Sequence, residues 1–499
     1  MIKKNDILLI IIFALIVITV VVKVIFHESG YLSNDSTNYL LLSKNLLDGF
    51  GLYVPSEKEG EGVRTLFSSW TVGYPGLIAL LAKITGLSVF VSSKILNLAF
   101  IGLTLLFFRK MFSLDAWIYA LIFLFSSYIE ISSWTWSETG FIFGLVMFSY
   151  YLHKFINDKG NLYASAFLLL FSACFLFLIR YIGAYTIGVM GLIFIYLGIF
   201  NGIIEKRKIL ILSIIILINI VFVTSYLYFN FLETGLTSGR ERIFAPESNY
   251  ELLITLVLAL LAEISIPVYH PRPSFLIPSL MIQFSLIGYF IYKNKSNTEP
   301  NLPPKNTFSI SNIFFMTGLL YLICLIVIRW FFYFNEYSFR LLGPGTFLIF
   351  VAIISYLKEH LSSKSFGDFK KIIVLLTLIS FILYVPIKTF ARFEQPYSET
   401  LNQLNQKYQV ISPGSILAFE RNKHLKYYRS DLTIKKPLIS ESISEFYNRV
   451  NKSNINKVYV EIFDPKKIKD YHESFIELFE LEEEGSIVEI FENNKNELL

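Results

Sequence analysis

The chain has 499 residues, of which 54% are hydrophobic, 48 are Phe and 17% are charged, and its mean hydropathy is +0.55. These values exclude a string of ordinary soluble domains and describe an all-α polytopic membrane protein, because apolar runs of about 17 to 22 residues, long enough to cross a hydrocarbon core, recur from Ile7 to Ile387. The net charge of +5 is no signal for nucleic acid, since the lysines fall mostly in short loops between those runs; Cys174 and Cys324 both lie inside runs, so no disulfide framework is expected.

The first run, Ile7 to Phe26, follows Met-Ile-Lys-Lys and carries no small-residue cleavage site, so it reads as a retained signal anchor with a cytoplasmic N-terminus. A polar stretch, 27–75, comes next. Ser33, Asn34 and Asp35 offer N-cap side chains, Tyr39, Leu42 and Leu46 recur at helical spacing, and Gly49 and Gly51 supply a stop. The result is a short amphipathic helix with Asp35 on the face of Tyr39 and Leu42, where an apolar surface meets water. A short interfacial helix is expected from Pro75 to Gly86. Spans follow near 87–108, 115–130, 137–153, 162–179, 182–200, 209–229, 274–292, 312–332, 340–357 and 372–387. With the first run these make about eleven crossings.

Basic residues set the orientation. Arg109/Lys110, His153/Lys154/Lys159, Lys206/Arg207/Lys208, Lys293/Lys295/Lys305 and Lys358/Lys364/Lys370/Lys371 all fall on the side of Lys3 and Lys4. By the positive-inside rule this places the 27–75 loop, a second large loop at 230–273 and the C-terminal tail outside. Leu252 to Ile266, interrupted by Glu263 and followed by Pro267, is only about 15 residues long and reads as re-entrant or interfacial. The chain thus divides into a membrane module, 1–390, and a tail, 391–499. Strand-like runs KVYVEIF (457–463) and SIVEIF (486–491) between Lys/Glu-rich segments make the tail a small α/β domain.

Ionisable side chains converge on the outer side at the ends of the runs: Asp35, Arg64, Glu138, Arg180, Arg240, Arg242, Glu263, His270, Arg272, Arg329, Glu336 and Arg340. Arginine dominates there, which fits recognition of phosphate at a fixed position. The same residues would also serve as snorkelling or mutually paired groups. Trp70, Trp134, Trp136 and Trp330 at run ends fit an interfacial belt.

Two strings, NDSTNYLLLSKNLLDGFGL and SSWTVGYPGLIALLAKITG, carry a family resemblance. They resemble the D-x-x-x-Y-x-x-x-A-x-x-L-x-x-G-x-G and W-x-P-x-Y-P patterns of bacterial GT-C integral-membrane glycosyltransferases of the family 39 type, which include relatives of protein O-mannosyltransferases and of the lipid A aminoarabinose transferase. WSETGFIFGLVMFSYYL, FLIRYIGAYTIG and FRLLGPGTFLIFVAII are similar to further motifs of that family, in the same order. Ser36 stands where the mannosyltransferases carry a second acid, Val72 and Gly73 where a proline is common, and Leu341 where a tyrosine follows the arginine.

The resemblance implies transfer of a sugar from a polyprenyl-phosphate donor to an acceptor hydroxyl of a glycan, lipid or protein, at the outer face of a bacterial cytoplasmic membrane. Asp35 matches the family's catalytic aspartate and is the expected general base; Glu138 is the second acid, expected either to orient the acceptor or to hold the neighbours of Asp35 in place. Tyr39, Arg64, Tyr74, Arg180, Arg240, Arg242, His270 and Arg340 are the expected substrate-binding residues, the arginines neutralising the leaving phosphate. One direct displacement inverts the anomeric carbon. No cofactor is firmly expected: Asp35, Glu138 and His270 could ligate a divalent ion, so a metal stays open, but no D-x-D or H-x-x-x-H spacing supports one. Two rivals stand beside this reading: a lipid-linked-sugar flippase or transporter, and a glycan ligase or polymerase using a diphosphate-linked donor. Charges at run ends and the lack of an inverted repeat disfavour a transporter.

Overall fold

The computed structural model describes residues 4–55, 64–157, 161–196, 198, 206–238, 243–244, 247–267, 272–294, 308–333, 336–384, 386, 396–419, 425–429, 431–435, 437–450 and 457–490. In chain order these form α1 (Lys4–Ile25), α2 (Asn34–Leu47), a hairpin of β1 (Tyr53–Pro55) and β2 (Arg64–Leu66), α3 (Gly73–Thr85) and α4 (Val89–Phe112). There follow α5 (Ala116–Ala120), α6 (Ser126–Ser133), α7 (Glu138–Asn157), α8 (Leu162–Ile179), α9 (Tyr185–Ile195), α10 (Lys206–Thr234), β3 (Ile243–Phe244) and α11 (Asn249–Ile264). Then come α12 (Pro273–Asn294), α13 (Ile310–Phe331), β4 (Phe332–Tyr333), α14 (Phe339–His360) and α15 (Ser363–Ile379). The tail adds strands β5 (Ile416–Ala418), β6 (Thr433–Lys435), β7 (Val458–Glu461) and β8 (Ile487–Ile490) with helices between them.

Among the described residues, eight helices are long and apolar enough to cross a membrane, and the protein is multi-pass. The eleven runs distribute over them unevenly. The run expected at 115–130 is broken into Ser113–Asp115, α5, Leu121–Leu124 and α6, and the first three pieces continue from α4 as one long apolar segment, Val89–Leu124. The 182–200 run is a shorter helix, Tyr181–Ile195, and α15 has 17 residues. α11 has 16 residues, about 24 Å at 1.5 Å per residue, short of a ~30 Å hydrocarbon core. Its end is hooked to α12: Ser265 and Ser279 hydroxyls meet at 2.5 Å, Gln283 accepts from the Ile266 amide at 2.8 Å and donates to the Ile264 carbonyl at 3.1 Å.

The contacts divide the chain into two units. One comprises 1–26, 68–74 and 93–394; the other comprises 27–67, 75–92 and 395–499. A single cut near residue 390 therefore does not describe the grouping, because residues 27–67 and 75–92 pack with the tail.

In the first unit, α13 and α14 lie close because glycines face each other's backbone and side chains. A Cβ on Gly318 would stand 2.7 Å from the Gly345 carbonyl oxygen, and one on Gly345 2.7 Å from Leu322 Cγ. Salt bridges tie helix ends carrying the basic loops: Arg109 to Asp6 at 2.5 Å, Lys358 and Lys370 to Asp115 at 2.9 and 2.6 Å, and Lys293 to Asp368 at 3.0 Å. In the second unit, the sheet order is β6-β5-β7-β8, parallel across β6, β5 and β7, with β8 antiparallel to β7. Alternate strand residues feed two cores. Ile416, Ala418, Val458 and Val460 pack with Phe446, Phe475 and Phe479 on one face, and Leu417 and Tyr459 pack with Leu404, Tyr408 and Leu425 on the other.

Candidate active site

Glu138 is the first residue of α7, where the helix dipole favours an anion, and its side chain is fully buried. Its Oε1 accepts from Nε of Arg340 at 2.6 Å and is paired with the Arg180 guanidinium. Its Oε2 is buried and has no hydrogen-bond partner among the described residues. A carboxylate buried in this way holds its charge only beside compensating charge, and the two guanidiniums supply it.

Local structure places each arginine. α8 ends where Arg180 turns extended, at φ −154° and ψ 137°, and a tight turn over Tyr181–Ala184 follows, closed by the Gly183 amide on the Arg180 carbonyl at 2.8 Å. That turn lies against the end of α8: a Cβ on Gly183 would be 2.3 Å from the Leu176 carbonyl, and one on Gly73 2.5 Å from the Leu178 carbonyl oxygen. Only glycine permits both approaches. Arg340, the second residue of α14, lays its guanidinium over Trp136 at 4.6 Å, and Trp136 stacks on Trp134 at 4.9 Å. The Trp134 carbonyl accepts from Asn97 at 2.8 Å, and Asn97 accepts from the Tyr74 hydroxyl at 2.9 Å. Tyr74, expected to bind substrate, is fully buried and supports the tryptophan segment from behind.

A second buried polar group centres on α6. Lys23 of α1 is paired with Glu130, and Lys94 of α4 donates to the Ser133 carbonyl at 2.8 Å. The sequence reading passed over Lys23, Lys94 and Glu130. The signal was present, since a lysine inside an apolar run that cannot reach the interface must find an internal partner.

Asp35 is the second residue of α2 and is half-buried. The cap comes from Ser33, in extended conformation at φ −112°, whose Oγ accepts from the Ser36 amide at 3.3 Å. Of the three side chains expected to offer the cap, Ser33 provides it. Tyr39 is buried on the inner face, and the Ser43 hydroxyl one turn on lies 2.7 Å from the Tyr39 carbonyl and 2.9 Å from that of Pro75. Gly49, at φ +83°, ends the helix as expected. Arg64, in β2, stacks its guanidinium over Phe50 at 3.6 Å, and its Nη1 is buried without a hydrogen-bond partner among the described residues.

Arg180 and Arg340 thus meet at Glu138, whereas Asp35, Tyr39 and Arg64 belong to the other unit, on α2 and the adjoining hairpin. Arg240, Arg242 and His270 lie outside the described residues. Arg329 is fully buried and pairs with Glu247 at 2.6 Å, which ties the end of α13 to the segment before α11, as the β3–β4 pairing also does. Among the described residues, no group of three or more His, Cys, Asp or Glu side chains stands ready to hold a metal.

No known family pattern matches the chain. No curated protein matches it in sequence. Solved structures do match. ArnT from Cupriavidus metallidurans bound to undecaprenyl phosphate superposes with a TM-score of 0.54 at 9% identity, over 91% of this chain and 92% of that one. The Archaeoglobus fulgidus oligosaccharyltransferase in complex with Zn and sulfate gives 0.50 at 12% identity over 94% and 70%. The arabinofuranosyltransferase AftD from Mycobacteria gives 0.50 at 10% identity over 92% of this chain and 37% of its own. The chain therefore has the GT-C fold shared by these membrane glycosyltransferases.

Proposed function

We propose that the chain is an inverting glycosyltransferase that moves a sugar from a polyprenyl-phosphate donor to an acceptor hydroxyl at the outer face of a bacterial cytoplasmic membrane. In the proposed step, the acceptor oxygen attacks the anomeric carbon as its proton passes to the Asp35 carboxylate. The bond from that carbon to the phosphate oxygen breaks, and the electron pair leaves with the polyprenyl phosphate. A phosphate monoester is a good leaving group, so the requirement is for positive charge, and Arg64, with a buried nitrogen that has no hydrogen-bond partner among the described residues, is suited to supply it. Arg240 and Arg242 are proposed to add to it. Glu138 is proposed to orient a substrate hydroxyl, because its Oε2 is a buried acceptor without a donor among the described residues.

The observation that carries the reading is Asp35. The helix cap is satisfied by Ser33, so the carboxylate in the first turn is not required to close the helix. Support also comes from the shared fold with a protein solved with undecaprenyl phosphate. Asp35→Asn keeps the size and polarity of the side chain but cannot accept the proton, and should lower kcat by roughly 10²- to 10⁴-fold, the usual contribution of a positioned base, with binding of radiolabelled donor retained. A variant that keeps wild-type turnover would remove Asp35 from the chemistry.

A further inference from the structure

The tail and the Asp35 helix belong to one unit, and the contacts between them are specific. The chain enters α2 through two successive left-handed residues, Gly30 at φ +54° and Tyr31 at φ +55°. Gly30 lies flat against two rings: a Cβ there would stand 2.9 Å from Tyr397 Cγ and 3.0 Å from Phe90 Cζ. Those rings pack on each other with centroids 4.6 Å apart. The Tyr397 hydroxyl is hydrogen-bonded to that of Tyr427, and both tyrosines are buried. Tyr427 belongs to the short tail helix Leu425–Tyr428, which packs along α2, and Lys44 near the end of α2 donates to the Tyr428 carbonyl at 3.5 Å. The Tyr397–Tyr427 hydroxyl pair thus joins the ring that packs at the entry to α2 with the tail helix that packs along its flank.

We propose that Tyr397 and Tyr427 are positioning residues that use the tail to fix the helix bearing Asp35. The proposal rests on the reading of Asp35 as the base, but its mechanical part stands independently. An isolated 14-residue helix is marginal in water, so α2 depends on its neighbours for a fixed register. Loss of the hydroxyl pair leaves the rings packed and frees the turn at Gly30 to shift. A base must lie within hydrogen-bond reach of its proton, so turnover is sensitive to shifts that barely change stability.

The test uses full-length protein in nanodiscs, with Tyr427→Phe and Tyr397→Phe as variants. Both keep the aromatic packing. Glu441→Gln, which breaks an ion pair elsewhere in the tail, is the control. Hydrogen exchange of the α2 amides is read together with kcat and the donor KM. Exchange in the first turn of α2 should quicken by about tenfold in both Phe variants, as local opening is released. kcat should fall by a similar factor with donor KM unchanged, whereas Glu441→Gln should leave α2 exchange and kcat as in the wild type. Unaltered α2 exchange in the Phe variants overturns the proposal. So does a Glu441→Gln protein that loosens α2 equally, since the tail then acts only through its overall stability. If the Phe variants loosen α2 while the wild type transfers no sugar from any polyprenyl-phosphate donor, the positioning role stands and the transferase reading falls.

Discussion

Glu138 shows how much a single atom decides. One carboxylate oxygen is shared by Arg180 and Arg340, and removing its charge takes a buried anionic partner from both guanidiniums at once. Glu138→Gln should therefore lower stability by roughly 3–5 kcal/mol, the usual cost of breaking a buried ion pair from one side. The double variant Glu138→Gln/Arg340→Gln should be more stable than the sum of the two single changes predicts, because it removes both halves of one interaction. Thermal melts of the four proteins in one detergent provide the cycle, and additivity would show that Glu138 and Arg340 act separately. A second residue-scale expectation concerns Glu441 in the tail. Burial opposes its ionisation, but hydrogen bonds from Arg449, at 2.5 and 2.8 Å, and from the Leu438 amide outweigh that and hold its pKa below the ordinary value. Its stabilising effect is then complete above the ordinary glutamate pKa of about 4.3 and is lost as pH falls through the lower folded value. Hydrogen exchange over 437–450 should quicken as pH is lowered below about 4 once the intrinsic acid dependence is subtracted, and Glu441→Gln should flatten that dependence.

At the scale of elements, the junction after α8 is built on glycine. Gly183→Ala would place a methyl group 2.3 Å from the Leu176 carbonyl, so the Tyr181–Ala184 turn must move and take Arg180 with it. We expect a loss of several kcal/mol, of the size seen for overpacking against backbone, together with loss of the Arg180–Glu138 pair. Preserved stability in a purified Gly183→Ala protein would contradict the close approach. The hook at the end of α11 gives a milder case: Gln283→Leu leaves the Ile266 amide and Ile264 carbonyl without their partner, and should cost about 1–3 kcal/mol in a thermal melt. These elements also show what was legible beforehand. Ser33, Gly49 and the apolar face of α2 were readable because capping and helical period are local properties. The break-up of 115–130 was not, because it depends on distant partners. Ser126, Ser127, Glu130, Ser132 and Ser133 are all buried, and Glu130 is answered by Lys23 from a helix more than a hundred residues away. The meeting of Glu138, Arg180 and Arg340 was likewise visible only as three charges at the ends of apolar runs.

For the whole molecule, hydropathy gave the class and short motifs suggested the fold, while the division into units had to come from packing. A cut at 390 follows the change from apolar to polar sequence. The actual grouping of 27–67 and 75–92 with the tail follows contacts such as Phe90 on Tyr397, which no periodicity encodes. This grouping gives the tail a mechanical connection to Asp35, and a protein lacking residues 395–499 should lose transfer activity even if its membrane helices assemble. The central claim is tested most directly by proteoliposomes holding the wild-type protein, a panel of radiolabelled polyprenyl-phosphate sugars and an acceptor hydroxyl, with Asp35→Asn in parallel. The account predicts that one donor loses its sugar to acceptor or water in the wild type, releases polyprenyl phosphate in equal amount, and stays intact with Asp35→Asn. Donor that is bound by both proteins, left intact by both and carried between leaflets by the wild type would contradict it and make the chain a flippase.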